Sequence, residues 1–384
     1  MKYPHITEEH ELIRQTVRDF AEREIKPVAA ELDEKAEFSK QLTTRMGELG
    51  LFGMTLPEEY GGQNLDTLSY IIAVEEIARV DGSQASTLAA HNSLGIGPIY
   101  NYGSKEQKEK YLPALTTGNT LWAFGLTEPE AGSDSRGSKT KAYLEDGQWV
   151  INGSKIFITN GSVDISEGAT VQAVTGEDEN GRKEFSTIIV EKGTKGFTRQ
   201  TMHNKMMWRS SDTAMLFFDD CRVPEENLVG NRGDGSKIML STLDGGRLSI
   251  AAMGLGLAQG AFEMAQQYSK ERKQFGKPIG KFQINAFKLA DMAMKIEHAR
   301  SFLYNACWLK DQGEPYGKES AMAKLYCSEI AKEVADEAVQ IHGGYGLTKD
   351  YDIERFYRDQ RLLQIGEGTS EIQRLVISRY LEKE

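Results

Sequence analysis

The chain has 384 residues, of which 39% are hydrophobic and 27% charged, and its formal net charge is −11 at pH 7. This length exceeds one ordinary core, so we expect a soluble globular protein of two or three subdomains. The acidic balance argues against nucleic acid as a partner, because a phosphate-binding surface is basic. No apolar run approaches the length of a membrane span, and residues 1–16 are charged and lack a signal-peptide core. These features predict a protein without a membrane partner, in a prokaryotic cytoplasm or, after removal of a transit segment, in the mitochondrial matrix.

Residues 1–118 have the pattern of a helical domain. Thr7 can cap a first helix, whose regular ladder Pro27 should disturb or end. Further helical spacing of apolar residues follows at 41–49, 67–79, 83–102 and 105–115.

Residues 119–228 change to the pattern of an antiparallel β-domain. Asp146-Gly147 is a hairpin signal, and Asn152-Gly153 predicts a second turn. Short strand-like runs lie at 121–126, 142–144, 149–151, 155–159, 170–175, 186–190 and 214–218.

Residues 229–384 return to a helical period. Long segments at 237–271, 282–311, 318–342 and 370–382 predict a four-helix bundle, so the fold class is α+β. Gly254 and Gly256 lie within a helical pattern without a preceding parallel strand, so we interpret them as close-packing residues and not as a dinucleotide fingerprint.

Candidate ligand groups are few. Cys221, Cys307 and Cys327 have neither metal-ligand nor pairing spacing, and the six histidines form no cluster, so we expect reduced thiols and no metal.

Glu367 stands between Gly366 and Gly368, where a carboxylate can reach a ligand without obstruction by its neighbours. Ser370 and Gln373 have capping-box spacing for the helix that follows. Alone, this stretch favours a solvated loop carboxylate.

Six segments in chain order change that interpretation. They are GLTEPEAGSDSRG at 125–137, KIFITNG at 155–161, LDGGR at 243–247, RKQFG at 272–276, QIHGGYGL at 340–347 with Arg358-Asp359 beyond it, and IGEGTSEIQ at 365–373. Together they resemble the acyl-CoA dehydrogenase family over essentially the whole chain.

The resemblance implies N-terminal helices, a central β-domain and a C-terminal four-helix bundle, assembled as a homotetramer that binds FAD. It implies oxidation of an acyl-CoA to its 2,3-enoyl-CoA, with an electron-transferring flavoprotein as acceptor. Glu367 matches the family's base for the Cα proton, and its own N–H is half of the oxyanion site, while flavin N5 takes the Cβ hydride.

The other site residues are carried over position by position. Ser133, Asp244, Arg247, Gly366 and Gly368 are the expected substrate contacts, and Gln340, Gly343 and Gly344 are expected to reach FAD from a neighbouring subunit. The remaining expected FAD contacts are Phe124, Leu126, Thr127, Ser133, Phe157, Thr159, Arg272, Gln274, Phe275, Gln283, Thr369 and Glu371.

Several positions depart from the family pattern. Gly246 stands where a minority of the family carries its base, so the common arrangement with Glu367 is expected. Gly366 replaces a Tyr that many short- and medium-chain members carry, which suggests a branched, cyclic or aryl-bearing acyl group. Phe157 replaces a common Trp, and Ala85 argues against a dicarboxylic substrate. Met207 and the stretch 162–168 also differ.

Three alternatives remain open: an acyl-CoA oxidase that reacts with oxygen, a CoA-thioester or flavin binding protein without turnover, and a structural helical bundle. Retention of Glu367 with Arg247 argues against the second, and the six segments argue against the third.

Overall fold

The N-terminal part of this computed structural model is helical, and the structure describes residues 3–177 and 179–382. Its helices are α1 (Glu8–Phe20), α2 (Lys26–Lys35), α3 (Lys40–Glu48), α4 (Thr67–Ala78), α5 (Gly82–Ala90), α6 (Gly97–Tyr102) and α7 (Lys105–Leu115). The apolar spacing predicts these helices to within a residue or two apart from α2, which it does not predict, and two wider π-helical turns interrupt the longer segments at Ala21–Ile25 and His91–Ile96.

The first helix begins as the sequence predicts. The Thr7 hydroxyl accepts from the His10 N–H, and His10 Nδ1 in turn lies 3.1 Å from the Thr7 N–H. Pro27 disturbs the ladder without ending the helix, because it occupies the first turn of α2 directly after the π-helical turn.

The central part is an eight-stranded sheet. Its strands are β1 (Leu121–Gly125), β2 (Lys141–Glu145), β3 (Gln148–Thr159), β4 (Ser166–Glu177), β5 (Lys183–Glu191), β6 (Phe197–Thr201), β7 (Thr213–Pro224) and β8 (Leu228–Val229). The order is β6-β7-β3-β2-β4-β5-β8, and β1 pairs with β4. Most pairs are antiparallel, as expected, but β1 is parallel to β4, and β2 meets β4 in parallel at Lys141 and Val174.

The predicted turn at Asn152-Gly153 is wrong. Strand β3 continues through both residues, and its register against β7 shifts between Ile151 and Gly153. Gly153 has a φ of 146°, and a Cβ there would lie 2.5 Å from Thr140 Oγ1. Glycine therefore serves a bulge and a close approach of the backbone, which leave the same sequence signal as a turn.

The C-terminal part contains the four long helices α8 (Gly235–Glu271), α9 (Gln283–Asp311), α10 (Gly317–His342) and α12 (Ser370–Leu381). The short strands β9 (Lys273–Gln274) and β10 (Lys277–Pro278) and the short helix α11 (Ile353–Asp359) were not predicted. By length and composition α8 could cross a membrane, but 78% of its most apolar stretch is buried inside the protein. It is a central core helix, packed against α4 and α10.

Close packing explains the glycines of α8, as predicted. A Cβ at Gly256 would lie 2.3 Å from the Glu75 carbonyl oxygen on α4, and one at Gly254 would lie 2.7 Å from the Cys327 carbonyl oxygen on α10. The N-terminal and C-terminal helices consequently share one hydrophobic core, with α8 between them.

Candidate active site

Glu367 lies in the loop between a short 3₁₀ turn (Gln360–Gln364) and α12, with its carboxylate directed at α8. A Cβ built on Gly246 of α8 would be only 2.1 Å from Glu367 Oε2. Although other atoms of the residue are partly exposed, Oε2 is buried and has no hydrogen-bond partner within the described residues. Burial raises the pKa of the Glu367 carboxyl to about 7, against the opposing positive charges of Lys324 and Arg247.

Arg247 and Asp244 form the expected i, i+3 ion pair on α8, through Arg247 Nη1. Arg247 is buried, and its Nε has no partner among the residues that the structure describes. Burial raises the pKa of Asp244, although Arg247 opposes the shift. A surface ion pair would not leave a guanidinium nitrogen buried and unpaired, so the arrangement favours a ligand-facing role for Arg247.

The predicted capping box at Ser370 and Gln373 is wrong. Thr369 is the N-cap of α12, since its hydroxyl accepts from the Ile372 N–H at 3.2 Å. The buried Gln373 side chain instead donates to the carbonyl oxygens of Glu367 at 3.1 Å and Gly368 at 3.0 Å. The Gln373 side chain therefore holds the loop that carries Glu367.

A second group of expected contacts gathers at β1 and β3. The Ile156 N–H donates to the Thr127 carbonyl oxygen at 2.9 Å, which brings the loop after β1 beside Phe157. Phe157 has a φ of 61° and is 63% exposed, so an aromatic ring is held open to solvent on a strand. Phe124 is buried, Leu126, Thr127 and Thr159 are partly buried, and Ser133 is exposed on the following loop. An exposed ring in a strained backbone conformation is typical of a ligand platform.

A buried ion pair that sequence reasoning missed supports this platform. Lys155 Nζ lies 2.7 Å from Glu128 Oε1 and donates to the Leu126 carbonyl oxygen at 3.1 Å. The Glu128 carboxylate also accepts from the N–H groups of Lys139 and Thr140. Burial lowers the pKa of Lys155 to about 8, although Glu128 opposes the shift. At neutral pH the pair is therefore ionised and fixes the loop that follows β1.

We expect Lys155→Met to lower the free energy of unfolding by roughly 3–5 kcal/mol, because Glu128 would be left as a buried unpaired charge. The loop after β1 should lose its anchor, so the purified variant should also retain less flavin. Thermal unfolding and the ratio of flavin to protein absorbance measure the two effects. Lys139→Met, which removes an exposed partner of Glu130, is the control and should change neither. Wild-type stability in Lys155→Met would contradict the assignment.

A third group lines a cavity of about 530 Å³ at the end of α8. Arg272, Gln274, Gly343 and Gly344 all contribute to it, together with Tyr268 and Tyr345. Thus two residues expected from one subunit (Arg272 and Gln274) and two expected from its neighbour (Gly343 and Gly344) meet in one chain. Phe275 (94% exposed), Gln283 and Gln340 are exposed but do not line the cavity. The cavity shares no lining residue with the Glu367 loop.

The cavity has the donors that a pyrophosphate needs. Arg272 supplies a cation, with its guanidinium 5.6 Å from the centre of the Tyr345 ring. A Cβ at Gly343 or Gly344 would meet nothing within 4 Å, so the backbone there is open to a ligand.

Of the positions that depart from the family pattern, the structure explains part of the stretch 162–168. The Ser162 N–H and hydroxyl both donate to the Asp212 carboxylate, and a Cβ at Gly168 would lie 2.5 Å from the Trp122 ring. Nothing in the structure explains Met207.

Comparison with known proteins identifies the family. Three family models match: acyl-CoA dehydrogenase, N-terminal domain, over residues 7–119, the middle domain over 123–221, and the C-terminal domain over 233–382. The short-chain specific acyl-CoA dehydrogenase of Clostridium acetobutylicum is 49% identical over 374 residues, which are 97% of this chain and 98% of the relative.

Solved structures support the same family. Butyryl-CoA dehydrogenase from Megasphaera elsdenii matches with a TM-score of 0.95 and 43% identity over 100% of both chains. An acyl-CoA dehydrogenase from Bacillus anthracis complexed with FAD matches with a TM-score of 0.93 and 38% identity, over 100% of this chain and 70% of the other.

The relatives and solved structures that match the whole chain make the protein an oxidoreductase, and the FAD complex among them supports a flavin cofactor. The chain belongs to the acyl-CoA dehydrogenase family.

Proposed function

We propose that this protein oxidises an acyl-CoA to its 2,3-enoyl-CoA, with Glu367 as the base that removes the Cα proton. The observation that carries the proposal is the Glu367 carboxyl group, which is buried, has an unpaired Oε2 and has a pKa raised to about 7. A structural carboxylate would have found a hydrogen-bond partner, whereas a base must keep a free oxygen and a pKa near the working pH.

The neighbouring residues suit the electrostatics of this step. A Cα proton is weakly acidic, so the thioester oxygen must be stabilised as negative charge develops on it. Among the described residues, no acceptor takes the Glu367 N–H. That N–H is therefore available as one oxyanion donor beside the base. The positive charges of Lys324 and Arg247 oppose the effect of burial, so Glu367 stays partly ionised in its buried position.

FAD is the cofactor that the family implies, and when bound it would accept the hydride that leaves Cβ. Phe157, Thr159, Leu126 and Thr127 would hold the ring system, and Ser133 would contact both FAD and substrate. Arg272, Gln274, Gly343 and Gly344 would hold the pyrophosphate end, since they line the open cavity. These assignments to FAD are predictions, and so are those of Phe124, Phe275, Gln283, Gln340, Thr369 and Glu371.

For the acyl group we propose a short chain that is branched or cyclic. The short-chain relatives favour a small pocket for the acyl group. Gly366 leaves more room next to the base than the Tyr that many members of the family carry there. A Cβ at Gly366 would lie 2.9 Å from Leu362 Cδ2, so Leu362 takes part of the released space. Leu94 also lies near the base, because its Cδ2 is 3.3 Å from the same Gly246 Cβ position that meets Glu367 Oε2. We propose that it forms part of the wall around the acyl group.

Anaerobic titration of the yellow holoenzyme with a panel of thioesters tests the reaction and the acyl group together. We expect bleaching of the flavin by isobutyryl-, 2-methylbutyryl- or cyclohexanecarbonyl-CoA at a rate at least equal to that with butyryl-CoA. The variant Gly366→Tyr should lose the branched and cyclic substrates before butyryl-CoA. Bleaching by butyryl-CoA far faster than by every branched or cyclic thioester would contradict the acyl-group proposal. If no thioester bleaches the flavin, the proposed reaction is wrong.

The electron acceptor we propose is an electron-transferring flavoprotein, in line with the family resemblance, and the assembly a homotetramer. The rival is an oxidase that reacts with oxygen. Peroxide formation at the rate of enoyl-CoA formation in air would favour the oxidase.

A further inference from the structure

The loop that carries Glu367 has a strained backbone. Glu367 has a φ of 51° and Gly368 a φ of 92°, so two consecutive residues lie in the left-handed region. For Glu367, which has a side chain, this conformation is strained and persists only where the surroundings enforce it. Its geometry also sets the direction of the carboxylate and of the Glu367 N–H.

Two buried side chains enforce this conformation from different helices. Lys324 Nζ of α10 donates to the Gly368 carbonyl oxygen at 2.7 Å, and Gln373 of α12 donates to the same oxygen at 3.0 Å. Both side chains are fully buried. Gln373 alone would satisfy the carbonyl, so the hydrogen bond does not by itself explain a buried ammonium group, which is costly to desolvate.

The charge of Lys324 has a counterpart in Glu367. Burial lowers the pKa of Lys324 to about 8, and the nearby Glu367 is the main charge that opposes this shift. Lys324 and Arg247 are the two cations that lower the pKa of Glu367. Arg247 shares its charge with Asp244, whereas the one hydrogen bond of the Lys324 ammonium within the described part of the chain goes to a backbone carbonyl. Further titratable groups around the loop, among the residues described, include Tyr70 of α4, Glu329 of α10, Arg361 of the 3₁₀ turn, and Glu371 and Arg374 of α12.

We propose that Lys324 is a positioning residue for Glu367: with Gln373 it holds the loop in its left-handed conformation, and its ammonium stabilises the charged form of the Glu367 carboxylate. The inference rests on the proposed role of Glu367 as base. It also explains why α10 carries a lysine among the buried Ala321, Ala323 and Cys327.

Lys324→Met and Gln373→Met separate the two effects, because each removes one donor to the Gly368 oxygen but only Lys324 carries a charge. The measurement is the rate of anaerobic flavin reduction in the holoenzyme by one thioester, in single turnovers from pH 6 to 9. For Lys324→Met we expect a rate at least about tenfold lower at pH 7. The acid limb of the profile, which is the rise in rate as Glu367 loses its proton, should move up by about one pH unit, because the pKa of a carboxyl group rises when it loses a nearby cation. For Gln373→Met we expect a lower rate with the acid limb unmoved.

Lys205→Met controls for the loss of a largely buried lysine elsewhere. Lys205 donates to the carbonyl oxygens of Trp208 and Ser211, and the charges that act on it are Asp212, Asp359 and Arg209. Its removal should lower the melting temperature and leave the acid limb in place. If Lys324→Met does not fold, Lys324→Gln serves in its place.

If the rate of flavin reduction by the Lys324 variant rises at the same pH as that of the wild type, the inference is wrong. Glu367→Gln distinguishes this failure from failure of the proposed function. If Glu367→Gln is inert while the Lys324 variant behaves as wild type, only the inference fails. If Glu367→Gln is reduced at the wild-type rate, the proposed base fails and the inference fails with it.

Discussion

Glu367→Gln is expected to give a folded, yellow protein that binds acyl-CoA thioesters but is no longer reduced by them. Glutamine has the size and shape of glutamate, and Oε2 makes no hydrogen bond to any residue described in the structure that the substitution could break. The amide cannot accept the Cα proton. A positioned general base contributes about 10²–10⁴-fold to a rate, so we expect at least a hundredfold loss in anaerobic flavin bleaching.

The pH dependence of the wild-type enzyme sharpens this prediction. Burial raises the pKa of Glu367 to about 7, so the carboxylate that accepts the proton is the minor form below pH 7 and the major form above it. Flavin reduction should therefore rise through pH 7 in the wild type. The residual rate of Glu367→Gln should not show this limb.

Glu37→Gln, an exposed carboxylate at the end of α2, is the matched control and should reduce at the wild-type rate. A thioester-induced change in the flavin spectrum of Glu367→Gln separates lost chemistry from lost binding. Bleaching at the wild-type rate would mean that another group takes the proton.

The helices were predictable because their apolar residues repeat at the period of a buried helical face. The sheet was less so: β6 has no strong alternation, and Gly153 leaves the same signal in a bulge as in a turn. The parallel pairing of β1 with β4 depends on contacts between distant segments, which local patterns do not encode.

In the candidate site too, some residues were predictable from the sequence and others were not. The pair of Asp244 and Arg247 follows from helical spacing, and the motif resemblance gave Glu367. Lys155 and Lys324 could not be found, because a lysine in a strand or helix normally predicts a solvated face. Only the fold shows that their side chains are fully buried beside Glu128 and Gly368. Gln373 was assigned to a capping box because local spacing cannot tell which backbone groups a side chain meets.

Gly246→Ala is expected to cause the second large loss of activity, through a single added methyl group. The new Cβ would lie 2.1 Å from Glu367 Oε2 and 3.3 Å from Leu94 Cδ2. Real Cβ contacts are not this short, so the carboxylate must move away from α8. The helix backbone can accept alanine, which favours helix by up to about 1 kcal/mol over glycine. The variant should therefore fold while its base is displaced.

A displacement of about 1 Å in a reacting group can lower a rate by about 100-fold, so we expect a loss of that order in flavin reduction by a thioester. Gly245→Ala is a close control, since the same change one residue earlier in the same helix brings a Cβ no nearer than 3.8 Å to Lys310 Nζ. Both variants gain the same helix propensity, so both should fold, and any melting temperature of Gly246→Ala below that of Gly245→Ala measures the cost of displacing Glu367. Only Gly246→Ala places its methyl group against Glu367. Equal activity of the two variants would show that the Glu367 carboxylate does not work from the position beside α8.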